Sequence, residues 1–211
     1  MKNEWLKEAG RILPVTVGVL ALQGGVAEHI TILRKLGCET REIRTPDELE
    51  SISALVLPGG ESTTLISLMN RWEVSRPIIE MGKKGFPIFG TCAGAVLLSS
   101  EISEKEHTVS QEGLHLADVK AVRNFFGRQA NSFIESINVT GLDEPFKGIF
   151  IRAPLLLPLS DEVEILSRIE DGPILLKQGN VWLSSFHPEL TSDSRIHRLF
   201  LESCGILEGS G

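Results

Sequence analysis

The sequence predicts an α/β protein in which a mostly parallel central sheet, extended by antiparallel strands, lies between two layers of helices. In the first half of the chain, short apolar runs alternate with turn residues and amphipathic helical patterns, which is typical of parallel strands joined by helices. In the second half, strand-like runs are separated only by turn residues, which favours antiparallel pairing. We expect one domain at residues 14–207, after an N-terminal extension at residues 1–13.

Four strands with intervening helical patterns are predicted in the first half. The strands fall at residues 15–22, 39–43, 54–57 and 86–89. The first is apolar almost throughout and ends at a Gln-Gly-Gly turn, as expected of a strand buried on both faces. Apolar residues between positions 26 and 36 form one face of the next helix, which Gly37 is predicted to end. Ser62 or Thr63 can cap a later helix, and another helical stretch extends to Lys84.

Six strands and a final helix are predicted in the second half. The strands fall at residues 119–122, 133–139, 148–151, 163–169, 174–177 and 181–186. The helix begins near Asp193 and carries apolar residues at helical spacing.

Composition limits the class of function. The net charge of -7 argues against nucleic acid as the main partner, since phosphate binding needs clustered Lys and Arg. Three cysteines without a CxxC spacing fit a reducing compartment and give no support for a disulfide framework or a structural zinc site. The apolar run at residues 14–22 is too short to span a bilayer, and no signal-peptide cleavage pattern precedes it. We therefore expect a cytoplasmic protein without membrane contact.

A Gly-Thr-Cys-Ala-Gly segment at residues 90–94 has the context of a nucleophile elbow. It follows a short apolar strand and precedes a helical pattern, as in the G-x-S-x-G turn of hydrolases, with Cys92 in place of serine. The flanking glycines leave room for a sharp turn that is strained at the nucleophile. The start of the following helix favours a thiolate, and the amide of Ala93 can face a developing oxyanion. A small buried apolar residue is the alternative interpretation of Cys92.

His187 and Glu189 are the candidate partners of this nucleophile. Of five histidines, only His187 ends a predicted strand beside a carboxylate two residues further on. Pro188 favours an extended or turn geometry at His187, in which residues two apart can point to the same side. The strand before it leads to the carboxyl edge of the sheet, where Cys92 also emerges. The other histidines are interpreted as surface or packing residues on helices, or as parts of a polar connection: His29, His197, His107 and His115.

A second glycine-rich loop, at residues 57–64, ends the third strand and opens a helix. Adjacent glycines let backbone N–H groups face a small oxygen, as an oxyanion site requires. A phosphate cradle or an ordinary turn stays open as an alternative, although the spacing of a P-loop is absent. Arg123, Arg128 and Arg152 lie at strand ends or turns, where a guanidinium can bind the carboxylate of an amino acid. A solvated surface position is the alternative for these arginines.

Six segments, in order along the chain, resemble one known family. They are GVLALQG from residue 18, LPGGESTT from residue 57, FGTCAGAVLL from residue 89, RNFFGRQ from residue 123, IRAP from residue 151 and SFHPELT from residue 185. Together they resemble the glutaminase subunits of pyridoxal 5′-phosphate synthase, a branch of the class I (triad) glutamine amidotransferases. GTCAG and HPE are shared across that class, whereas LPGGESTT, RNxFGRQ and FIRAP are specific to the vitamin B6 branch.

The resemblance implies a flavodoxin-like fold and hydrolysis of L-glutamine to L-glutamate and ammonia, with Cys92 as nucleophile and His187 and Glu189 completing a triad. It implies a glutamine site with these residues: Gly59, Gly60, Glu61, Arg123, Ile151 and Arg152. Gly60 and Ala93 would hold the oxyanion, and the chain would bind no cofactor or metal. The ammonia would pass to a partner synthase subunit, a (β/α)8 barrel in a large hetero-oligomer, which makes pyridoxal 5′-phosphate.

Three alternatives stay open. An amidotransferase subunit of another pathway, such as imidazole glycerol phosphate synthesis, would differ in its partner. A non-catalytic assembly or regulatory subunit would keep the fold without a reactive cysteine. A peptidase built on the same elbow would cleave peptide substrates.

Overall fold

The computed structural model describes residues 15–104, 107–108, 111–126 and 132–208. The extension predicted at residues 1–13 and the arginine at position 128 lie outside these ranges. The strands are β1 (Thr16–Leu20), β2 (Glu39–Ile43), β3 (Ala54–Leu57), β4 (Ile88–Thr91), β5 (Ser99–Glu104), β6 (His107–Thr108), β7 (Ala117–Arg123), β8 (Ser132–Ile137), β9 (Phe146–Ile151), β10 (Leu155–Pro158), β11 (Glu164–Ile169), β12 (Gly172–Gln178) and β13 (Val181–Ser184). The helices are α1 (Val26–Lys35), α2 (Ser62–Arg71), α3 (Ser75–Lys83), α4 (Ala93–Leu98) and α5 (Arg195–Ser203), with 3-10 turns at Pro46–Leu49 and Pro188–Leu190.

The central sheet has seven strands in the order β11-β12-β13-β4-β3-β1-β2. The strands from β13 to β2 are all parallel, and β11 and β12 add antiparallel pairs at one edge. This order is that of a flavodoxin-like fold, so the predicted mostly parallel sheet with antiparallel additions is confirmed. Because β1, β3, β4 and β13 are parallel, the segments that follow them all lie at the same edge of the sheet.

Helices cover both faces of this sheet because its inner strands are apolar on both sides. Successive residues of a strand point to opposite faces, and the two faces feed two separate cores. Val17 and Val19 of β1 pack in the core that contains α1 and α5. Leu55 and Leu57 of β3 pack in the other core, with α2, α3 and α4. The result is the three-layer arrangement expected from the alternation of strands and helices.

Two smaller sheets extend these outer layers. One has four strands in the order β10-β7-β5-β6, and the other is the β8-β9 hairpin. Strands β5, β6 and β10 are not predicted from the sequence. β5 has the sequence Ser-Ser-Glu-Ile-Ser-Glu, which has little of the β-branched and aromatic content typical of strands. β6 includes His107, which the sequence analysis places in a polar connection.

Two local predictions need correction. The strand predicted at residues 86–89 begins two residues later, as β4, because the amide of Phe86 still closes the turn after α3 through the carbonyl of Met81. Helix α2 is capped by Glu61 and not by Ser62 or Thr63, since the Glu61 carboxylate accepts from the Thr63 amide at 3.4 Å.

Within the ranges that the structure describes, no helix has the length and apolar character needed to cross a membrane.

Candidate active site

The turn between β4 and α4 holds Cys92 in a strained backbone conformation. Cys92 precedes α4 with φ 48° and ψ -105°, a combination that residues with a side chain rarely adopt. Its amide donates to the Ser184 carbonyl at 2.7 Å, and its carbonyl accepts from the Val96 amide at 3.0 Å. The turn is therefore fixed from β13 and from the helix. Strain of this kind costs about 1 to 3 kcal/mol and clusters at functional sites.

Gly90 and Gly94 are required because the two arms of the turn touch each other and the neighbouring strand. A Cβ on Gly90 would lie 2.6 Å from the Gly94 carbonyl carbon, and one on Gly94 would lie 2.1 Å from the Leu57 carbonyl oxygen. Neither glycine has a positive φ. The glycines therefore provide space for the sharp turn, and they are not needed for backbone freedom.

His187 and Glu189 lie beside this turn because β13 is the neighbour of β4 in the sheet. Ser184 of β13 pairs with Thr91 of β4, and the chain then enters the 3-10 turn Pro188–Leu190. His187 Nδ1 lies 2.7 Å from Glu189 Oε1. The two-residue spacing thus brings the imidazole and the carboxylate together, at the same edge of the sheet as Cys92.

The surroundings of His187 favour its protonated form. Burial opposes protonation, but hydrogen bonds with Cys92 and Glu189, and the negative charge of both side chains, raise the pKa of His187 to about 10. Burial also acts to raise the pKa of the Glu189 carboxyl, but the neighbouring His29 and the hydrogen bond and charge of His187 outweigh it and lower that pKa. The geometry therefore supports an imidazolium placed between Cys92 and a carboxylate.

We expect His187 to stay protonated through neutral pH, which an NMR titration of 15N-histidine-labelled protein can measure. The midpoint should lie well above 6.5, at about 10. Because the folded pKa exceeds the unfolded value, protonated His187 contributes stability that is complete below pH 6.5 and lost as the pH rises towards 10.

Glu189→Gln removes the counter-charge of the imidazolium and should lower the midpoint of His187. Glu80→Gln is the matched control, because Glu80 pairs with Arg76 on the exposed face of α3 and should leave the midpoint unchanged. A wild-type midpoint close to that of a free histidine would contradict the contacts described for His187.

The glycine-rich loop at residues 57–64 packs directly on the side chains of His187 and Cys92. A Cβ on Gly59 would lie 2.4 Å from His187 Cε1 and 3.3 Å from Cys92 Cβ. A Cβ on Gly60 would lie 3.3 Å from Gln23 Cδ, in the loop that follows β1. Glycines therefore allow the backbone of this loop to approach the cysteine and the imidazole without a side chain between them.

Cys92 lines a polar cavity. The cavity has a volume of about 270 Å³, including space open to solvent. Six residues singled out from the sequence line it: Gly60, Glu61, Cys92, Ala93, Arg123 and Arg152. Four further lining residues were not among the predicted site residues: Ser62, Val96, Asn124 and Pro154.

Glu61 and Arg123 form the charged part of the cavity together with Arg152. Arg123 Nη2 donates to Glu61 Oε1 at 2.9 Å, and its Nη1 donates to Gln111 Oε1 at 2.9 Å. Ser62 Oγ donates to the same Gln111 oxygen at 3.2 Å. Gln111 therefore helps to orient Arg123, and no motif in the sequence marks it because it lies in the polar connection before β7. One carboxylate and two guanidinium groups can hold both charges of an amino acid.

Ile151 approaches the cysteine through its backbone. Cys92 Sγ lies 3.9 Å from the Ile151 carbonyl oxygen, and the Ile151 side chain is not part of the cavity lining. The next residue, Arg152, has a φ of 44°, and Asn124 has a φ of 51°. Both line the cavity, so strained backbone at this site extends beyond the cysteine turn.

Two buried histidines lie behind Glu189, on the side away from His187. His29 on α1 and His197 on α5 are fully buried, so the surface alternative considered for them is wrong. His29 Nδ1 lies 2.9 Å from His197 Nε2, and His29 Nε2 lies 3.5 Å from Glu189 Oε2. The sequence signal that could have indicated their burial is their position on the inner faces of two amphipathic helices.

Among the described side chains, no group of three or more His, Cys, Asp or Glu is arranged to hold a metal ion.

Several known proteins are similar to this chain in sequence. Residues 19–206 match the model of the SNO glutamine amidotransferase family. A protein of Ignicoccus hospitalis, named pyridoxal 5′-phosphate synthase subunit PdxT, is 49% identical over 192 residues, which cover 88% of this chain and 97% of that protein. The protein of the same name in Thermosipho africanus is 45% identical over 185 residues, covering 88% of this chain and 96% of the relative.

A solved structure shares the fold as well as the sequence. The crystal structure of a glutamine amidotransferase is 46% identical and superimposes with a TM-score of 0.83, covering 90% of this chain and 98% of its own. The family match extends from β1 to the residues after α5, and it contains both glycine-rich turns and the His187–Glu189 pair. The chain belongs to the SNO glutamine amidotransferase family.

Proposed function

We propose that Cys92, His187 and Glu189 hydrolyse L-glutamine to L-glutamate and ammonia in the cavity beside the cysteine turn. One observation carries the proposal. In a chain of a glutamine amidotransferase family, the imidazole of His187 lies 2.7 Å from Glu189, and the backbone of Gly59 packs against both this imidazole and the strained Cys92. A nucleophile, a base and a group that orients the base are the parts that covalent hydrolysis of an amide requires.

The first half-reaction releases ammonia. The Cys92 sulfur attacks the side-chain amide carbon of glutamine, and an electron pair moves onto the carbonyl oxygen. The amides of Gly60 and Ala93 stabilise that oxygen. His187 then donates its proton to the amide nitrogen, the carbon–nitrogen bond breaks and ammonia leaves. A γ-glutamyl thioester on Cys92 remains.

The second half-reaction restores the enzyme. His187, now neutral, accepts a proton from water while the water oxygen attacks the thioester carbon. The carbon–sulfur bond breaks, glutamate leaves and the sulfur returns as a thiolate beside an imidazolium. Glu189, 2.7 Å from the ring, keeps the imidazole oriented and compensates its positive charge in both steps.

The positions of Gly60 and Ala93 support their role at the oxyanion. Ala93 is the first residue of α4, and the first amides of a helix have no acceptor within the helix. Gly60 lines the same cavity, and the preceding Gly59 packs against Cys92. Two amides from different loops of one cavity can stabilise charge that develops only during the reaction.

The charged residues of the cavity are suited to the amino-acid end of glutamine. We assign the α-carboxylate to Arg123 and Arg152, because a guanidinium binds a carboxylate with two parallel hydrogen bonds. The α-ammonium group is assigned to Glu61, which pairs with Arg123. The remaining members of the substrate site, Gly59 and Ile151, are assigned contacts through the backbone.

Arg123→Ala is expected to raise the KM for glutamine roughly ten- to a hundredfold, with a smaller effect on kcat. The reason is that hydrogen bonds to charged groups contribute about 1.5 to 3 kcal/mol, and this contact binds the ground state and the transition state alike. Steady-state glutaminase assays measure both constants. Arg76→Ala, which removes an exposed arginine on α3, is the control, and an unchanged KM in Arg123→Ala would remove Arg123 from the substrate site.

We also propose that the ammonia passes to a pyridoxal 5′-phosphate synthase subunit with a (β/α)8 barrel, within a large cytoplasmic hetero-oligomer. Support comes from the relatives that are named as subunits of that synthase. Ammonia released into bulk water is protonated and loses its nucleophilic electron pair, so direct transfer to a partner is favoured. This role needs neither a cofactor on this chain nor contact with nucleic acid or membranes.

A thiol-directed glutamine analogue tests the proposed chemistry. Intact-mass and peptide analysis should find the analogue on Cys92 alone among the three cysteines, and added glutamine should protect Cys92. Labelling should be faster in the presence of the synthase partner. A failure to label Cys92 under both conditions, with no turnover of glutamine, would favour the non-catalytic alternative, and cleavage of peptides would favour the peptidase.

Co-purification tests the proposed partner. The chain should form a stable complex with a pyridoxal 5′-phosphate synthase barrel subunit and not with the corresponding subunit of imidazole glycerol phosphate synthase. The opposite preference would assign the chain to another amidotransferase pathway while leaving the glutaminase chemistry unchanged.

A further inference from the structure

A buried polar cluster lies behind the candidate triad, and its two histidines have no part in the mechanism described above. It consists of His29, His197 and the carboxylate of Glu189, and both imidazoles are fully buried. The two rings pack edge-on, and His197 also packs against Phe89 in the apolar core. Burial of two imidazoles costs free energy unless their nitrogens form hydrogen bonds. An apolar pair would fill the same space without that cost, so the polar pair calls for a specific reason.

The cluster contacts the triad through the second oxygen of Glu189. His187 holds Oε1 at 2.7 Å. Oε2 is buried, and no described residue forms a hydrogen bond of ordinary geometry with it. His29 Nε2 lies 3.5 Å from Oε2 and 3.2 Å from Thr91 Oγ1. A proton on His29 Nε2 would therefore lie between the carboxylate and a hydroxyl group.

The contact between the two histidines decides which nitrogen of His29 carries the proton. If Nδ1 carried it, His29 would donate to His197 Nε2, and His197 would carry its own proton on Nδ1. That nitrogen is buried and has no partner among the described residues, and the bare Nε2 of His29 would face a carboxylate. If His29 carries the proton on Nε2, His197 donates to His29 Nδ1 and only an acceptor stays unpaired. The second arrangement avoids a buried unpaired donor and a repulsive contact.

Both rings are neutral, which makes His29 a donor without a charge of its own. The titratable groups around His29 are Glu28 on α1, His187 and Glu189 at the 3-10 turn, and His197 on α5. Burial lowers the pKa of His29 and outweighs the opposing carboxylates. Burial lowers the pKa of His197 to about 3. A neutral donor stabilises the carboxylate and leaves His187 as the cation of the site.

We propose that His29 is a positioning residue that holds Glu189 Oε2 with its Nε2–H, and that His197 fixes the tautomer of His29 that provides this donor. The proposal rests on the proposed function, because Glu189 acts on the substrate only through His187. Each group in this series orients the next, from His197 in the core to His187 beside Cys92. A carboxylate held at both oxygens keeps the imidazole in one orientation, as outer partners do for other catalytic and metal-binding histidines.

Two substitutions at His29 separate donation from packing. His29→Phe keeps a ring without a donor, and His29→Gln keeps an N–H close to the position of Nε2. With the synthase partner present, glutaminase kcat should fall roughly ten- to a hundredfold in His29→Phe and recover in part in His29→Gln. KM should change little, since His29 does not line the cavity.

The Glu189→Gln background tests whether His29 acts through the carboxylate. In that background His29→Phe should cost no further activity, because residues that act as one unit are not additive. An additional loss of the same factor in both backgrounds would overturn the proposal and leave His29 with a structural role.

Alkylation of Cys92 by iodoacetamide gives a measurement that needs neither substrate nor partner. Without the His29 donor, Glu189 becomes protonated at a higher pH, and the His187 imidazolium loses its counter-charge there. The acid limb of the alkylation rate should therefore move to higher pH in His29→Phe. Ser167→Ala removes a different hydrogen bond, which is partly buried, to the Asn138 carbonyl at 2.7 Å, and should destabilise the fold without moving that limb. An unmoved limb in His29→Phe would contradict the proposal.

NMR measurements on the wild-type protein test the proposal even if the substitutions prevent folding. Long-range 1H–15N NMR spectra of histidine-labelled protein should show His29 and His197 neutral at pH 7 and both protonated on Nε2. A proton on His29 Nδ1 would overturn the proposal. If the expected tautomers are found in a protein that does not hydrolyse glutamine with its partner, the proposed function fails while the His29–Glu189 contact stands.

Discussion

Cys92→Ala is expected to lower the glutaminase kcat by about 10⁴-fold or more, the scale at which loss of a nucleophile acts in hydrolases with a triad. No other thiol belongs to the lining described for the cavity, so no other cysteine can form the thioester. The measurement is glutamate release at saturating glutamine with the synthase partner present. Cys38→Ala removes a buried thiol outside the lining and should keep kcat, and equal rates in wild type and Cys92→Ala would end the assignment.

The same position stores strain, which a second substitution can release. At φ 48° and ψ -105°, alanine keeps the unfavourable contacts of the Cys92 backbone, whereas glycine does not. We expect Cys92→Gly to be more stable in urea than Cys92→Ala by about 1 kcal/mol, although glycine loses more backbone entropy on folding. Both variants should be inactive. An alanine variant at least as stable as the glycine variant would show that the turn is not strained.

The parts of the site that follow from local sequence were predictable. Short apolar strands followed by glycine-rich turns identify the segments after β3 and β4, because such strands are buried and a sharp turn needs space. The proline after His187 likewise predicts the turn geometry at Glu189. These segments meet because β3, β4 and β13 are neighbouring parallel strands. Parallel strands end at the same edge of a sheet, so this meeting was predictable in outline.

The remaining features depend on contacts between distant segments. His29 and His197 were placed on the right helices, but the pairing of their rings depends on how α1 and α5 pack on the same face of the sheet. Gln111 meets Arg123 at the start of α2, where Ser62 donates to Gln111 and Arg123 donates to Glu61. Neither contact has a signature in one sequence, since a lone polar residue has the same local pattern whether it is solvated or buried.

Strand β5 shows a different limit. Its polar sequence does not predict a strand, yet it pairs along five positions with β7. The structure explains why β5 is a strand: β5 directly follows α4, and Ile102 of β5 packs in the same core as α4. Tertiary pairing has overridden weak intrinsic propensity here.

Gly59→Ala is expected to lower kcat about a hundredfold or more by disturbing the catalytic geometry without removing a functional group. The added Cβ would lie 2.4 Å from His187 Cε1 and 3.0 Å from His187 Nδ1. The imidazole is a rigid ring, held by Glu189 on one side, so either the ring or the glycine-rich loop must move. Overpacking of this kind also costs about 1 to 3 kcal/mol of stability, which urea denaturation would measure.

Gly82→Ala is the matched control for this clash. The added Cβ would lie 2.5 Å from Leu116 Cδ1, but that atom is the flexible end of a side chain. Neither Gly82 nor Leu116 lines the cavity, so kcat should stay unchanged. The His187 titration then tells which group moves in Gly59→Ala. If the ring moves, the contact with Glu189 is weakened and the midpoint falls below its wild-type value near 10. If the loop moves, the midpoint stays and the loss arises at the oxyanion, whereas full activity in Gly59→Ala would mean that this loop does not lie against the imidazole as described.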